Sequence, residues 1–193
     1  MPLLTTPALP AGTLSAREQP EIQTGRLTLR PWQEPDVTVV VAAFADPAIQ
    51  RWHCRSLNPD EAREWIAQWE PRWRSESDAG WAITENDHVV GQIGLRHIDF
   101  AEGLAKISYW VLPEARGRRL APRALAALTA WSFGELGLHR LELSHSTANT
   151  ASCRVAERCG YLPEGTRRSE ARHADGWHDM HAHARLATDP TPA

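Results

Sequence analysis

The stretch Tyr109-Trp110-Val111-Leu112-Pro113-Glu114-Ala115-Arg116-Gly117-Arg118-Arg119-Leu120-Ala121-Pro122 constrains the fold more than any other part of the chain. It reads as a strand that passes through a basic, glycine-containing turn into a helix. At such a junction the amides of the turn and of the first helical turn lack partners within the helix. The helix dipole adds partial positive charge there, and Arg116, Arg118 and Arg119 supply countercharge. A diphosphate is the ligand this arrangement suits. A merely solvated basic turn is the alternative on these residues alone. Nucleic-acid binding is a weaker reading, since no wider basic face accompanies the turn and the formal net charge is −3.

Around this junction the hydrophobic period alternates between strand and helix. Leu27 and Leu29 alternate with Thr28 and Arg30 in a first strand, and 34–45 reads as a helix with Pro35 in its first turn and Asp46-Pro47 as its stop. Asn58-Pro59-Asp60-Glu61 is a capping box ahead of Trp65, Trp69 and Trp73, which share one helical face. We read that stripe as core rather than as a ligand-stacking surface, with Pro71 bending or ending the helix. Strands at 81–84, 88–98 and 104–112 form a meander through turns at Asn86-Asp87 and Glu102-Gly103. A helix at 120–136 closed by Gly137, a strand at 139–145, a helix at 149–159 closed by Gly160, and strands at 161–172 and 177–186 complete the pattern. The expected architecture is α/β (α+β), a mixed seven-stranded sheet with helices on both faces, which excludes a doubly wound dinucleotide fold.

At 193 residues, 42% hydrophobic and 23% charged, the chain has the composition of one globular domain. We expect that domain at 22–187, between a flexible lead-in at 1–21 and a flexible tail at 188–193. Pro2, Pro7, Pro10 and Pro20, with no basic residue before Arg17, spoil a signal-peptide reading of the start. No segment has the continuous apolar length of a membrane span, so no membrane partner is expected. Three cysteines without framework spacing fit a reducing, cytoplasmic setting.

A second motif, Asn149-Thr150-Ala151-Ser152 followed by Val155-Ala156-Glu157-Arg158-Cys159-Gly160-Tyr161, places a cap residue and a first-turn hydroxyl about thirty residues after the anion turn. With Gly25-Arg26-Leu27-Thr28-Leu29-Arg30-Pro31-Trp32, Val90-Gly91-Gln92-Ile93-Gly94, the strand–turn–helix junction and Asp175-Gly176-Trp177-His178-Asp179-Met180, it makes five stretches in one order. In these the chain resembles the GCN5-related N-acetyltransferases, and among them the branch that acetylates N-termini of ribosomal proteins. The resemblance spans 26–186.

It implies an acyl-CoA N-acyltransferase architecture whose sheet is split at its centre, with acetyl-CoA as donor and a primary amine as acceptor. The leading acceptor is a protein or peptide N-terminus; a small-molecule amine such as an antibiotic or polyamine is the alternative. Main-chain groups of Trp110, Val111 and Leu112 are implied to hold the pantetheine arm and an oxyanion. Amides of Arg116, Gly117, Arg118, Arg119, Leu120 and Ala121 are implied to hold the pyrophosphate. Asn149 would bond the arm, and Ser152 would approach the sulfur and protonate the departing thiolate, simple helix capping being its alternative.

The chain departs from the family pattern at three places. Arg119 stands where a second glycine is usual, Lys106 where an acid is common, and no carboxylate stands at Ala171. The base is sought instead among Glu170, Glu102, Asp99 and Glu142, with Glu170 and Glu102 preferred. These gaps also raise a different class of function, a non-catalytic acyl-CoA-binding module. A covalent acyl-enzyme on Cys153 or Cys159 is disfavoured, because cysteines packed on a helix are usually inert. His178, His181 and His183 with Asp179 have the composition of a metal cluster, yet the resemblance requires no metal and solvated strand histidines are preferred; a histidine among them could bind or deprotonate the acceptor. A homodimer is entertained from tryptophans expected to be exposed on the early helices.

Overall fold

The computed structural model describes residues 4–192. Its elements are β1 (Ile22–Thr24), β2 (Leu27–Pro31), α1 (Val37–Ala45), α2 (Pro47–His53), α3 (Pro59–Ala67), α4 (Trp69–Arg74), β3 (Ala79–Glu85), β4 (His88–Asp99) and β5 (Leu104–Val111). They continue with α5 (Leu120–Trp131), β6 (Arg140–Ser146), α6 (Thr150–Arg158), β7 (Leu162–His173) and β8 (Gly176–Leu186). One sheet runs in the order β1-β2-β3-β4-β5-β6-β8-β7, all neighbours antiparallel except β5 and β6. It has eight strands, not seven: β1 is only three residues long, too short to show a period, and it folds back on β2 through Gly25 at φ 60°. No helix among the described residues is long and apolar enough to cross a membrane.

Local chemistry explains most boundaries. The Asn58 side chain accepts hydrogen bonds from the amides of Asp60 and Glu61 while the Glu61 carboxylate accepts one from the Asn58 amide, the reciprocal capping box expected at α3. Asp46-Pro47 ends α1 and also starts α2, because the Asp46 carboxylate caps the Ile49 amide at 2.9 Å. Pro71 falls in the first turn of α4, and the helical path breaks just before it, between Ala67 and Trp69. The break keeps Trp65, Trp69 and Trp73 all buried, with Trp65 and Trp69 edge to face at 5.3 Å. The premise for a dimer on the early helices therefore fails for this stripe; the well-exposed tryptophan is Trp177, at 64%, on the last hairpin.

Helices cover both faces of the sheet. Neighbouring side chains on a strand point to opposite faces. Trp110 meets Phe44 and Trp32 on the α1–α3 side, whereas Tyr109 meets Ser152 of α6. At the outer edge β7 is exposed along nearly its whole length and its pairing with β8 slips twice, near Gly165 and between Arg167 and Ala171.

The lead-in differs from expectation. Residues 8–20 lie against the domain, with Leu14 fully buried and Leu9 nearly so. Glu76 accepts bonds from the amides of Gly12, Leu14 and Ser15 at 2.6–3.0 Å, and the indoles of Trp73 and Trp81 donate to the carbonyls of Arg17 and Pro20. At the other end, Asp189 accepts from the Leu186 amide and Pro192 lies against Gly160.

Candidate active site

β5 and β6 are paired only from Leu104–Lys106 to Arg140–Glu142, and beyond that point the sheet opens. Which backbone groups face the opening follows from the two-residue alternation of a strand. Leu112 donates to Val90 and Trp110 pairs with Gln92, so even-numbered groups of β5 are consumed by β4. Odd-numbered Tyr109 and Val111 turn the other way, into the split. Two side chains confirm that direction: His53 Nε2–H donates to the Tyr109 carbonyl at 3.2 Å, and Arg116 Nε–H to the Val111 carbonyl at 3.2 Å. Of the strand positions implied by resemblance, Val111 is thus placed to offer its main chain, together with Tyr109, while Trp110 and Leu112 are not.

Two cavities meet at this split. One, of about 440 Å³, runs over the strand–turn–helix junction and is lined by Trp110, Val111, Arg116, Gly117, Arg119, Leu120, Ala121 and Asn149. The other, of about 750 Å³, opens over β6, β7 and β8. They share Trp52, His53, Tyr109 and Asn149 as common wall. Ser152 lines the larger cavity, at the junction.

The smaller cavity is basic. Arg119 lines it, as do Arg154 and Arg158, one turn apart on α6, and none of the three has a carboxylate within salt-bridge distance among the described residues. The sequence reading missed Arg154 and Arg158, although their four-residue spacing on a helix was visible. Arg116 is partly neutralised by Asp46 at 3.0 Å, and Arg118 is drawn away by an ion pair with Glu85 and does not line the cavity. Arg119 caps α5 in the left-handed conformation, φ 58° and ψ 28°, where a β-carbon costs about 1–2 kcal/mol. Arg119→Gly removes that strain at some cost in chain entropy, so we expect a net stabilisation of about 0.5–1 kcal/mol, read as a raised midpoint in thermal denaturation.

At the junction Asn149 caps α6 by accepting from the Ser152 amide at 3.1 Å. The Ser152 hydroxyl is therefore not spent on capping; it pairs with the Tyr109 hydroxyl at 2.8 Å. Burial pushes the Tyr109 phenol up to about 12, against the opposing bond to Ser152, so it stays protonated. Burial also pushes His53 down to about 4. Its folded value lies below the ordinary histidine range, so between about pH 6.5 and 4 the unfolded chain binds the extra proton and stability falls on acidification. Its share is about 2 kcal/mol after allowance for solvent near the ring. Urea midpoints from pH 7 to pH 4.5 should fall less steeply in His53→Gln than in the parent.

A third group was not foreseen as a unit. His178 Nε2–H donates to Asp175 at 2.8 Å, since the carboxylate can only accept; in that tautomer His178 Nδ1 carries a lone pair and accepts from the Ser146 hydroxyl at 2.7 Å, while Ser146 Oγ accepts the Ala148 amide at 3.1 Å. The His178 bond holds the Asp175 carboxyl below its ordinary range. Ser146 is buried and lines the larger cavity.

The expected bases are less well placed. Glu102 lies at the β4–β5 turn, lining neither cavity, and Asp99 accepts amides of that same turn. Glu170 lines the larger cavity but is exposed and paired with Arg167 at 3.0 Å; Glu142 is paired with Arg140 at 2.9 Å. Cys159 is buried against the Pro122 carbonyl, and burial raises its thiol to about 11; burial and Glu157 raise Cys153 too, so neither is an activated nucleophile. The histidines read as solvated strand residues are divided: Asp179 accepts the Ser169 amide, His178 faces Ser146, and His181 and His183 lie on the other face of β8, where His183 is buried rather than solvated.

Residues 26–162 match the family model of the acetyltransferase (GNAT) domain. The chain belongs to the GNAT acetyltransferase family. It is thus an N-acetyltransferase by family, and its split sheet is the GNAT acyl-CoA N-acyltransferase fold. Over 134 residues it is 28% identical to a Bacillus subtilis (strain 168) protein provisionally named ribosomal N-acetyltransferase YdaF, an alignment covering 66% of this chain and 72% of that one. The solved structure of RimL, described as a ribosomal alpha-N-protein acetyltransferase in complex with coenzyme A, superposes with a TM-score of 0.81 at 19% identity, covering 86% of this chain and 98% of RimL. Mycobacterium smegmatis RimJ, in complex with CoA-disulfide, gives 0.79 at 21% identity over 89% of each chain. At these identities the two structures establish the shared GNAT fold.

Proposed function

We propose that this GNAT domain transfers the acetyl group of acetyl-CoA to a primary amine by direct attack in a ternary complex, and that the amine is the N-terminus of a protein or peptide. The observation that carries this reading is the meeting of a basic cavity with a second, larger cavity at Tyr109, His53 and Asn149. One cavity suits a polyanionic donor and the other an acceptor. Coenzyme A fits the residues present: Arg119, Arg154 and Arg158 match its phosphates, and the backbone of Tyr109 and Val111 matches the amide-bearing arm.

In the reaction a strand amide at the split stabilises negative charge developing on the thioester oxygen. The acceptor must lose a proton, since an ordinary α-amine has a pKa of about 8. We place the base at His178 rather than at Glu170 or Glu102. The amine proton passes to Ser146 Oγ as the Ser146 proton passes to His178 Nδ1, and Asp175 steadies the resulting imidazolium. The Ser152 hydroxyl, backed by neutral Tyr109, supplies the proton taken up by the leaving thiolate.

The charge of the larger cavity favours a peptide over a polycation. Its carboxylates Glu142, Glu164 and Glu170 are each paired with Arg140 or Arg167, so the wall offers mixed charge and no acidic field for an aminoglycoside or polyamine. Thiol release from acetyl-CoA, with mass detection of products, tests the proposal on N-terminal peptides, lysine peptides, polyamines and aminoglycosides. Acetylation confined to peptide N-termini supports it. Acetylation of a polyamine or aminoglycoside instead overturns the acceptor class, and coenzyme binding without transfer to any amine overturns catalysis in favour of a binding module.

A further inference from the structure

The face of β6 and β8 beneath α6 carries a group of side chains with no part in the proton relay, two of which, His145 and His183, also border the larger cavity. His145 lies in register with His181 across the β6–β8 pair, His183 follows two residues later on the same face, and Cys153 projects from the first turns of α6 above them. One potential ligand atom from each of the four lies within 4.8 Å of the others. Cys153 Sγ is 3.9 Å from His181 Nδ1 and 3.9 Å from His183 Nε2. The three rings gather at centroid separations of 4.9–5.7 Å.

Three imidazoles and a thiol packed together are poorly served by one another, because the Nδ1–H groups of His145 and His183 turn outward to backbone carbonyls and leave Nε2 lone pairs facing inward. His145 makes this concrete. Its Nδ1–H donates to the Ser146 carbonyl at 2.8 Å, which directs the lone pair of Nε2 inward, and that nitrogen has no hydrogen-bond partner although the residue is only 5% exposed. His183, 1% exposed, repeats the arrangement: Nδ1–H donates to the Tyr161 carbonyl at 3.2 Å and Nε2 faces Cys153. Metal-binding histidines are held in this way, the outer ring nitrogen fixed by a backbone carbonyl and the inner one free to ligate.

We propose that His145, Cys153, His181 and His183 form a tetrahedral Zn²⁺ site. Three imidazoles and one thiolate suit zinc in both ligand type and number. Tetrahedral bonds of about 2.0–2.3 Å separate ligand atoms by roughly 3.3–3.6 Å, so the side chains need to close by a few tenths of an ångström to about 1.5 Å. Four protein ligands leave no open position for a reacting water, which makes the site structural. It ties α6 to β6 and β8 next to Ser152, and thereby fixes the helix that carries Asn149 and Ser152 at the junction of the two cavities.

Co²⁺ replaces Zn²⁺ in such sites and reports its ligands, so the metal-stripped full chain is titrated with Co²⁺ and then with Zn²⁺. The expected result is one equivalent bound, visible ligand-field bands of tetrahedral cobalt, a near-ultraviolet thiolate-to-cobalt band, and displacement of both by Zn²⁺. Cys153→Ser should lose the thiolate band, and His145→Gln should weaken Zn²⁺ binding by at least about 100-fold, beyond the roughly 10- to 100-fold typical of outer-shell losses. His88→Gln, on the β3–β4 turn, should change neither. As a check that needs no variant, Zn²⁺ should protect Cys153 of the parent from alkylation while the exposed Cys54 still reacts. Absence of the cobalt spectrum, a thiolate band that survives in Cys153→Ser, or Cys153 alkylation that Zn²⁺ leaves unchanged would each overturn the assignment.

Discussion

His178→Gln should lower kcat/KM for the amine acceptor by about 100- to 1000-fold, equivalent to roughly 3–4 kcal/mol of transition-state stabilisation. The magnitude follows from the geometry. Ser146 is buried, its hydroxyl hydrogen is committed to His178, and the imidazole is the one member of the relay able to keep the proton it receives. Ser146→Ala should cost a similar factor, and the double variant little more than either single one, because the two act as a unit. Asp175→Asn should cost less, about 10-fold, since Asp175 is exposed and water can take its place beside His178. The KM for acetyl-CoA should not move in any of them. Steady-state rates against both substrates, with the pH profile of kcat/KM, provide the check. A loss below about 10-fold in His178→Gln, together with a larger loss in Glu170→Gln, would return the base to the carboxylate side of the cavity.

Removing residues 1–20 should destabilise the domain by about 3–5 kcal/mol, a large share of the roughly 5–15 kcal/mol typical of a folded domain. The lead-in buries Leu14 completely and Leu9 almost so, each worth about 1.5–3 kcal/mol. It also accepts the buried indole N–H groups of Trp73 and Trp81, and each donor left unpaired costs about 1–3 kcal/mol. Against these gains stands the entropy of ordering a proline-rich segment, which keeps the net effect below their sum. Urea denaturation of the truncated chain measures it. Should truncation prevent folding, Leu14→Ala in the full chain is the finer probe, with an expected loss of about 2–4 kcal/mol. An unchanged midpoint in both would mean that the docked lead-in contributes nothing to stability.

That segment also shows where sequence reading stopped. The anion turn, the Asn58 capping box and the tryptophan stripe were legible because their physics is local: a period, a cap or a glycine set within one element. The docking of 8–20 depends on backbone carbonyls meeting indoles about sixty residues away, and a carbonyl has no sequence signature. The same limit governed the site. Ser152, Asn149 and the junction residues could be named from motif and resemblance, but whether Trp110 or Val111 faces the split is a question of strand parity, decided by the register with β4. The His178 relay needs Ser146 from a strand thirty-two residues earlier, and the histidine–cysteine group draws on two strands and a helix. In both, the residue types were visible and the partners were not. One departure from the family pattern, by contrast, had direct structural meaning: Arg119 is seated in a backbone conformation that suits glycine.

The outer strand bears on how copies of this protein can meet. A sheet that ends in an open strand invites a second sheet to join it edge to edge. Here that strand, β7, carries Pro163 near its start, two slips in register, Gly165 and Ser169 at positive φ, and the cations Arg167, Arg168 and Arg172. The result is an edge that is kinked, interrupted and densely charged, with Glu164 and Glu170 among the arginines. A continuous intermolecular sheet through β7 is disfavoured, and the hairpin can stand out in solvent beside the larger cavity without becoming a seed for aggregation.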